Sequence, residues 1–278
     1  MLAFVFPGQG TQHVGMGKPL WDDFDSARRI FEHADQTLGF SLSTLCFEGP
    51  ADQLQLTEFS QPAILTVSYA LMEVLRERIP LNPVVVAGHS LGEYTALLCA
   101  GALTFEDALL LVRQRGKYMQ QAVPVGQGSM AAVIGLDSAE IEQLCTQAAR
   151  EEVLVPANFN GGGQVVLSGH TPALERALAL AEQQGAKVKR LAVSAPFHSP
   201  MMRSAAERLA VDLENTAVAE MACPWVANVD AQLHRQSTDI RALLLRQITA
   251  PVQWEQTIRC MHQLGIASVC EIGPKSVL

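Results

Sequence analysis

A short apolar run in the first third of the sequence stops abruptly in a turn bounded by glycines. Residues 84–87 are Val-Val-Val-Ala, and Gly-His-Ser-Leu-Gly follows at 88–92. A continuous apolar run of this length is typical of a strand buried on both faces of a parallel sheet. Residues 91–99 have the composition of a helix that begins directly after the turn. The chain is therefore predicted to be an α/β protein.

The turn at 88–92 carries a candidate nucleophile. A Gly-X-Ser-X-Gly turn between a strand and a helix is the pattern of a nucleophile elbow, and glycine at 88 and 92 avoids collisions with the neighbouring strand and helix. Ser90 then lies at the edge of the sheet, at the start of a helix whose N–H groups can stabilise an oxyanion. The alternative is a simple connection in which Ser90 caps the helix.

A serine hydroxyl needs a base to become a nucleophile at neutral pH. His89 is next to Ser90, but adjacent side chains at such a turn point apart. His198 lies in the loop 195–200, which is expected to lead back from an inserted domain to the main sheet and could bring the imidazole over the turn. The alternative for His198 is an ordinary loop histidine.

The order of predicted elements suggests two structural units. Residues 2–6 form a strand that Pro-Gly-Gln-Gly at 7–10 ends, and a helix is predicted over 62–79 with Ser60 as its cap. Between 126 and 193 the order is β-α-β-β-α-β, which is that of a ferredoxin-like subdomain. The predicted strands there are 130–135, 153–159, 164–168 and 187–193, with helices over 138–150, capped by Asp137, and 172–184, capped by Thr171.

A second α/β segment follows the insertion. It contains a predicted helix over 200–215, a strand over 225–229, helices near Ile240 and Trp254, and a strand over 269–272. We therefore expect a discontinuous catalytic domain of residues 1–125 and 194–278, with the subdomain at 126–193 inserted in it.

Composition excludes several classes of function. The chain has 278 residues, of which 49% are apolar and 17% charged, so it can bury a substantial core. A net charge of −8 argues against a nucleic-acid partner. No apolar run approaches the ~18 residues of a membrane helix. The six cysteines form no CxxC pair, so we expect neither a metal site nor disulfides. A monomeric, cytoplasmic protein is predicted.

Five motifs, in order along the chain, resemble the signatures of malonyl-CoA:acyl-carrier-protein transacylases. This family includes the fatty-acid-synthesis enzyme and the free-standing acyltransferases of polyketide synthases. The motifs are FPGQGTQ at 6–12, GHSLGE at 88–93, QRG at 114–116, PFH at 196–198 and PVQW at 251–254. The resemblance extends from residue 2 to 278 and implies an α/β-hydrolase-like core with a parallel sheet and an inserted ferredoxin-like subdomain.

The resemblance also implies roles for individual residues. Ser90 would be the acylated nucleophile and His198 its general base and acid, oriented by a backbone carbonyl, that of Gln247, in place of a triad aspartate. The N–H groups of Gln9 and Leu91 would form the oxyanion hole. No bound cofactor is implied; malonyl-CoA is the substrate, and the acceptor is the phosphopantetheine thiol of an acyl carrier protein.

Two further residues bear on the choice of acyl group. Arg115 would bind the carboxylate of malonate, because a guanidinium presents paired donors to a planar carboxylate. Phe197 would fill the space that an α-methyl branch needs and so favour malonyl over methylmalonyl groups. The alternatives are a solvated helix residue for Arg115 and a packing aromatic for Phe197.

A small basic cluster could offset the acidic net charge locally. Lys187, Lys189 and Arg190 lie just before the loop that bears His198, and we expect them to face the mouth of the cleft and attract CoA phosphates and an acidic carrier protein. The alternative is a solvated strand edge.

Other functions remain open at this stage. A serine thioesterase or acyl hydrolase acting on carrier-protein thioesters could use the same turn, with Asp107 or Asp137 as the acid of a triad. Both aspartates lie at predicted helix starts, where capping explains them. A carrier-docking module without activity is the non-enzymatic alternative, and the presence of both Ser90 and His198 argues against it.

Overall fold

A computed structural model describes residues 1–80, 82–193 and 195–278. The described strands are β1 Leu2–Phe6, β2 Val85–Gly88, β3 Gly128–Ile134, β4 Leu154–Gly161, β5 Gln164–His170, β6 Lys187–Arg190, β7 Trp225–Val226, β8 Leu233–His234 and β9 Ser268–Glu271. The described α-helices are α1 Lys18–Asp23, α2 Asp25–Leu38, α3 Leu42–Glu48, α4 Ala51–Gln55, α5 Thr57–Arg78, α6 Gly92–Cys99, α7 Phe105–Gln121, α8 Ser138–Ala149, α9 Thr171–Gln183, α10 Arg203–Asn215, α11 Ile240–Gln247 and α12 Trp254–Gln263.

The larger sheet is mainly parallel, and its inner strands β1, β2 and β7 are buried. Its order is β8-β7-β2-β1-β9, and β1 runs parallel to both β2 and β9. Phe4 and Phe6 of β1 point into a core shared with α2, α5, α6 and α7, whereas Ala3 and Val5 pack toward Trp254 of α12. Because both faces of β1 and β2 are covered, these two strands are continuously apolar, as predicted from residues 84–87.

The smaller sheet is antiparallel, with the order β4-β5-β3-β6, and α8 and α9 pack against it. It has its own apolar core, formed by residues such as Val133, Ile141, Leu167 and Leu174. The chain order β3-α8-β4-β5-α9-β6 is the predicted β-α-β-β-α-β pattern. The predicted fold class, an α/β core with a small inserted subdomain, is therefore confirmed. Position 194, where the predicted boundary falls, lies outside the described residues.

Several predicted element boundaries are wrong. Helix α5 begins at Thr57, so Pro62 lies inside it and Ser60 does not cap it. Buried contacts cause this, because the Thr57 hydroxyl, 3.1 Å from Gln120 Oε1, anchors the first turn to α7. Thr171 begins α9 without capping it, and its hydroxyl donates instead to the Gly126 carbonyl.

Strand β7 has two residues rather than the predicted five. The chain turns after Val226, with the Ala231 N–H donating to the Ala227 carbonyl at 2.9 Å. This turn places Asn228 beside Ser90 rather than in the sheet. Across the described residues, no helix is long and apolar enough to cross a membrane.

Candidate active site

The turn that bears Ser90 joins β2 to α6 and has a strained backbone. Ser90 has a φ of 52°, a value that non-glycine residues rarely adopt. Asn228 stabilises the turn, since its Oδ1 accepts from the Ser90 N–H at 2.7 Å and its Nδ2 donates to the Gly88 carbonyl at 2.6 Å. The predicted need for glycine is confirmed: a Cβ at Gly88 would overlap the Gly92 carbonyl, and one at Gly92 would overlap that of Phe6.

His198 lies directly over this turn. Its Nε2 is 2.7 Å from Ser90 Oγ, and its Nδ1 is 2.8 Å from the Gln247 main-chain carbonyl. A carbonyl can only accept, so Nδ1 carries the proton and Nε2 presents its lone pair to the serine hydroxyl. Burial, together with the nearby charge of Arg115, lowers the pKa of His198 to about 3, which keeps the imidazole neutral at neutral pH and leaves the Nε2 lone pair free to accept a proton.

Arg115 reaches the same point from α7. Its Nη2 donates to Ser90 Oγ at 3.0 Å and to Gln247 Oε1 at 2.9 Å, and its Nη1 donates to Gln61 Oε1 at 2.9 Å. The guanidinium is 1% exposed and lies 5.4 Å from the centre of the Tyr94 ring. A buried guanidinium so close to a hydroxyl is suited to binding an anion attached to that oxygen.

These groups line one cavity of about 420 Å³ between the two sheets. Residues of the larger unit and of the smaller one both contribute to its wall. The predicted site residues that line it are Gln9, Ser90, Leu91, Arg115, Lys189, Arg190, Phe197 and His198, and further lining residues include Gln61, His89, Met119, Met130, Asn158 and Leu191.

Gln9 and Leu91, whose N–H groups are the predicted oxyanion donors, line the cavity. Leu91 immediately precedes α6, and Gln9 follows β1 in the adjacent loop. Within the described part of the chain, no hydrogen bond occupies either N–H. Both groups are therefore available to an oxygen that develops negative charge near Ser90.

The basic cluster is divided by the structure. Lys189 and Arg190 line the cavity, and Arg190 also forms an ion pair with Glu175 of α9. Lys187 lies at the far end of β6, paired with Ile134, and is not part of the cavity wall. The placement of Lys187 at the mouth of the cleft therefore stays a prediction, whereas Lys189 and Arg190 do line the cavity.

Four polar residues of the site were not predicted as such. They are Gln61, Glu93, Asn158 and Asn228, each buried. Glu93 accepts hydrogen bonds from Trp225 Nε1 at 3.0 Å and from the Asn228 N–H at 3.1 Å, and burial raises its pKa to about 7. Only the motif at 88–93, which ends in Glu93, gave a sequence signal for any of them.

His89 points away from Ser90, as predicted for adjacent side chains at this turn. Its Nε2 is 3.0 Å from Asn160 Oδ1, and its ring lies against Trp254, with the ring centres 5.7 Å apart.

Asp107 and Asp137 both lie at helix starts, where Asp137 forms a capping box with Glu140. Neither aspartate contacts His198, whose Nδ1 partner is the Gln247 carbonyl. No group of three or more His, Cys, Asp or Glu side chains among the described residues could hold a metal ion.

Comparisons with known proteins show the family to which the chain is similar. The family described as "Acyl transferase domain" matches residues 3–278. The malonyl CoA-acyl carrier protein transacylase of Haemophilus influenzae is 47% identical over 278 residues, which are 99% of this chain and 89% of that protein.

Two solved structures illustrate the similarity of the fold. The malonyl CoA-acyl carrier protein transacylase of Coxiella burnetii has a TM-score of 0.97 at 45% identity, with 99% of this chain and 87% of that one covered. A type II PKS acyl-carrier protein in complex with its malonyl-transacylase gives a TM-score of 0.96 at 42% identity, with 99% and 89% covered.

Proposed function

This chain belongs to the acyl transferase domain family, and from that premise we propose that it moves a malonyl group from malonyl-CoA to the phosphopantetheine thiol of an acyl carrier protein. The observation that carries the proposal is the convergence of Ser90, His198 and Arg115 on one cavity. A nucleophile, its base and a carboxylate-binding cation are the three groups that transfer of a short acidic acyl chain requires.

The first half-reaction acylates the enzyme. Ser90 Oγ attacks the thioester carbonyl while His198 Nε2 takes its proton, and the oxyanion is stabilised by the N–H groups of Gln9 and Leu91. The carbon–sulfur bond then breaks, His198 returns the proton to the CoA sulfur, and a malonyl ester remains on Ser90.

The second half-reaction reverses these steps with a different thiol. The phosphopantetheine thiol of the carrier protein enters the cavity, and His198 removes its proton as the sulfur attacks the ester. Ser90 leaves as the alcohol when His198 protonates it. One site thus serves two thiols in turn, which predicts ping-pong kinetics.

Arg115 accounts for the choice of a malonyl group. In malonate one methylene separates the carboxylate from the carbonyl that becomes the ester, so the binding cation must lie close to the nucleophile. The 3.0 Å from Arg115 Nη2 to Ser90 Oγ meets that requirement. A neutral acyl chain would leave the buried guanidinium without an anionic partner from the substrate. Phe197, 7% exposed in the cavity wall, occupies space beside the acyl group and would exclude an α-methyl branch.

The two structural units have separate tasks in this proposal. Residues 1–125 and 194–278 form the catalytic domain that supplies Ser90, His198 and Arg115. The subdomain at 126–193 covers the cavity with Asn158, Lys189 and Arg190 and meets the incoming thiol carriers.

The alternative, a thioesterase or acyl hydrolase, differs in the second acceptor. We expect the purified protein to release one equivalent of CoA from malonyl-CoA and then stop, and to resume turnover when a carrier protein bearing phosphopantetheine is added. The measurement is CoA release together with the mass of the carrier protein. Steady formation of free malonate without a carrier protein would support hydrolysis instead.

A further inference from the structure

Arg115 is a buried cation whose direct partners are neutral. Its hydrogen bonds go to the amide oxygens of Gln61 and Gln247 and to the hydroxyl of Ser90. Among the described residues, no carboxylate ion-pairs with it directly. A charge buried in this way is costly unless a compensating charge lies nearby.

Glu93 supplies a carboxylate one side chain away. It is 1% exposed, and its Oε1 accepts from Trp225 and from the Asn228 N–H. Its Oε2 accepts from Gln247 Nε2, while the oxygen of that same amide accepts from Arg115 at 2.9 Å. The Gln247 side chain therefore bridges the acid and the guanidinium.

We infer that Glu93 is a positioning residue that, through the Gln247 amide, orients and electrostatically balances Arg115 for the carboxylate of the substrate. The inference rests on the proposed function, in which Arg115 binds malonate. A carboxylate in direct contact would compete with malonate for the guanidinium. Placed behind an amide, Glu93 compensates the charge and leaves the cavity side of Arg115 to the substrate.

The side-chain amide of Gln247 has one orientation in which it forms hydrogen bonds with all of these partners. Its nitrogen must face Glu93, which as a carboxylate only accepts, and its oxygen must face Arg115, which only donates. The nitrogen also donates to the Ser90 carbonyl at 2.9 Å. In Glu93→Gln, an amide nitrogen at the position of Oε2 would face Gln247 Nε2, so two donors would oppose each other. Gln247 would then flip or shift, and Arg115 would lose its acceptor.

The test compares malonyl-CoA with a fluorophosphonate, a reagent that labels an activated serine and has no carboxylate. We expect Glu93→Gln to lower kcat/KM for malonyl-Ser90 formation about a hundredfold, chiefly through a higher KM, as misplacement of a binding group does. Labelling by the fluorophosphonate, which needs Ser90 and His198, should change less than threefold, about the scatter of such rates. Glu106→Gln removes an exposed carboxylate of α7 and is the matched control.

A double variant separates positioning from mere structural support. Glu93→Gln with Gln247→Glu restores a carboxylate–amide hydrogen bond in the reverse direction, and the Glu93 N–H bond to the Ser90 carbonyl is a main-chain bond that remains. The new carboxylate, however, would contact Arg115 directly. We expect the double variant to regain the thermal stability lost in Glu93→Gln while malonyl-Ser90 formation stays low.

Three results would overturn the inference. One is a Glu93→Gln protein that forms malonyl-Ser90 as fast as the wild type. The second is a double variant that recovers both stability and malonyl use, and the third is a Glu93→Gln protein that loses fluorophosphonate labelling to the same extent as malonyl use; either of these shows a structural role. Failure of the wild-type protein to form malonyl-Ser90 would instead overturn the proposed function.

Discussion

At the scale of single residues, the site depends on polar side chains with fixed donor and acceptor roles. The Gln247 carbonyl determines the tautomer of His198, and the lone pair on Nε2 follows from it. A carbonyl does this without adding a negative charge, so His198 stays neutral beside Arg115. Burial, together with the charge of Arg115, lowers the pKa of His198, and the hydrogen bond to the Gln247 carbonyl only partly offsets this.

Replacing Arg115 by alanine tests the carboxylate-binding role. The substitution removes charged hydrogen bonds to the substrate. The value of kcat/KM for malonyl-CoA should therefore fall by a factor that corresponds to about 2–4 kcal/mol of lost transition-state stabilisation, and the value for acetyl-CoA should fall less. Arg113→Ala is the control, because that guanidinium donates to the Leu38 carbonyl on another face of α7. A variant at 115 that kept its preference for malonyl-CoA would contradict the role.

The Arg115→Ala variant also tests how the labelling of Ser90 depends on pH. His198 is a base only when neutral, so in the wild type fluorophosphonate labelling of Ser90 should stay level from about pH 8 to about pH 5 and fall as the pH approaches the low pKa. The charge of Arg115 helps to lower that pKa. In Arg115→Ala the pKa of His198 should rise, and the loss of labelling should begin at higher pH. An unchanged profile would show that the two groups are not coupled.

At the scale of secondary structure elements, the turn between β2 and α6 depends on close backbone packing. Gly92 lies against the Phe6 carbonyl of β1, in the middle of the larger sheet, where the backbone has no room to move.

Gly92→Ala should therefore lower the free energy of unfolding by about 1–3 kcal/mol or more, the usual cost of overpacking. Urea denaturation measures this, and Ser90→Ala, which adds no atoms to the same turn, is the control. Equal unfolding free energies for Gly92→Ala and the wild type would show that the turn can relax.

Local sequence patterns predicted most of the long elements and little of the rest. Apolar runs and caps located β1, β2 and the elements from α8 to β6, because each has a complete local signal. The helices between residues 18 and 55 were not predicted, since they are short and gain their stability from packing. Thr57 shows the same limit, because its contact with Gln120 comes from another helix. Motifs indicated Ser90 and Arg115, whereas Asn228 enters the site through a tertiary turn with no local signature.

At the scale of the whole molecule, the cavity exists because two units meet. The smaller unit contributes Lys189 and Arg190 to the wall of the cavity, and the larger unit contributes Ser90, Arg115 and His198. The net charge of −8 belongs to the whole surface, and we propose that Lys189 in the cavity wall attracts an anionic carrier locally, whereas Arg190 is ion-paired with Glu175. The monomeric state and the cytoplasmic location stay predictions.

Charge reversal on β6 tests this local attraction. Lys189→Glu should lower kcat/KM for the carrier protein roughly two- to tenfold at low salt and have less effect at high salt, because salt screens the interaction. Lys187→Glu, on the same strand but outside the cavity wall, is the matched control. Equal effects of the two substitutions, or a salt dependence like that of the wild type, would contradict steering by Lys189.

In the proposed reaction an alcohol, an imidazole and a guanidinium act together on one malonyl group. Mass spectrometry of the intact protein and of its peptides after brief exposure to malonyl-CoA tests this proposal. We expect the wild-type protein to gain the mass of a single malonyl group on the peptide that contains Ser90, Ser90→Ala to gain none, and His198→Ala to gain it far more slowly. A Ser90→Ala protein that is malonylated as readily as the wild type would contradict the account.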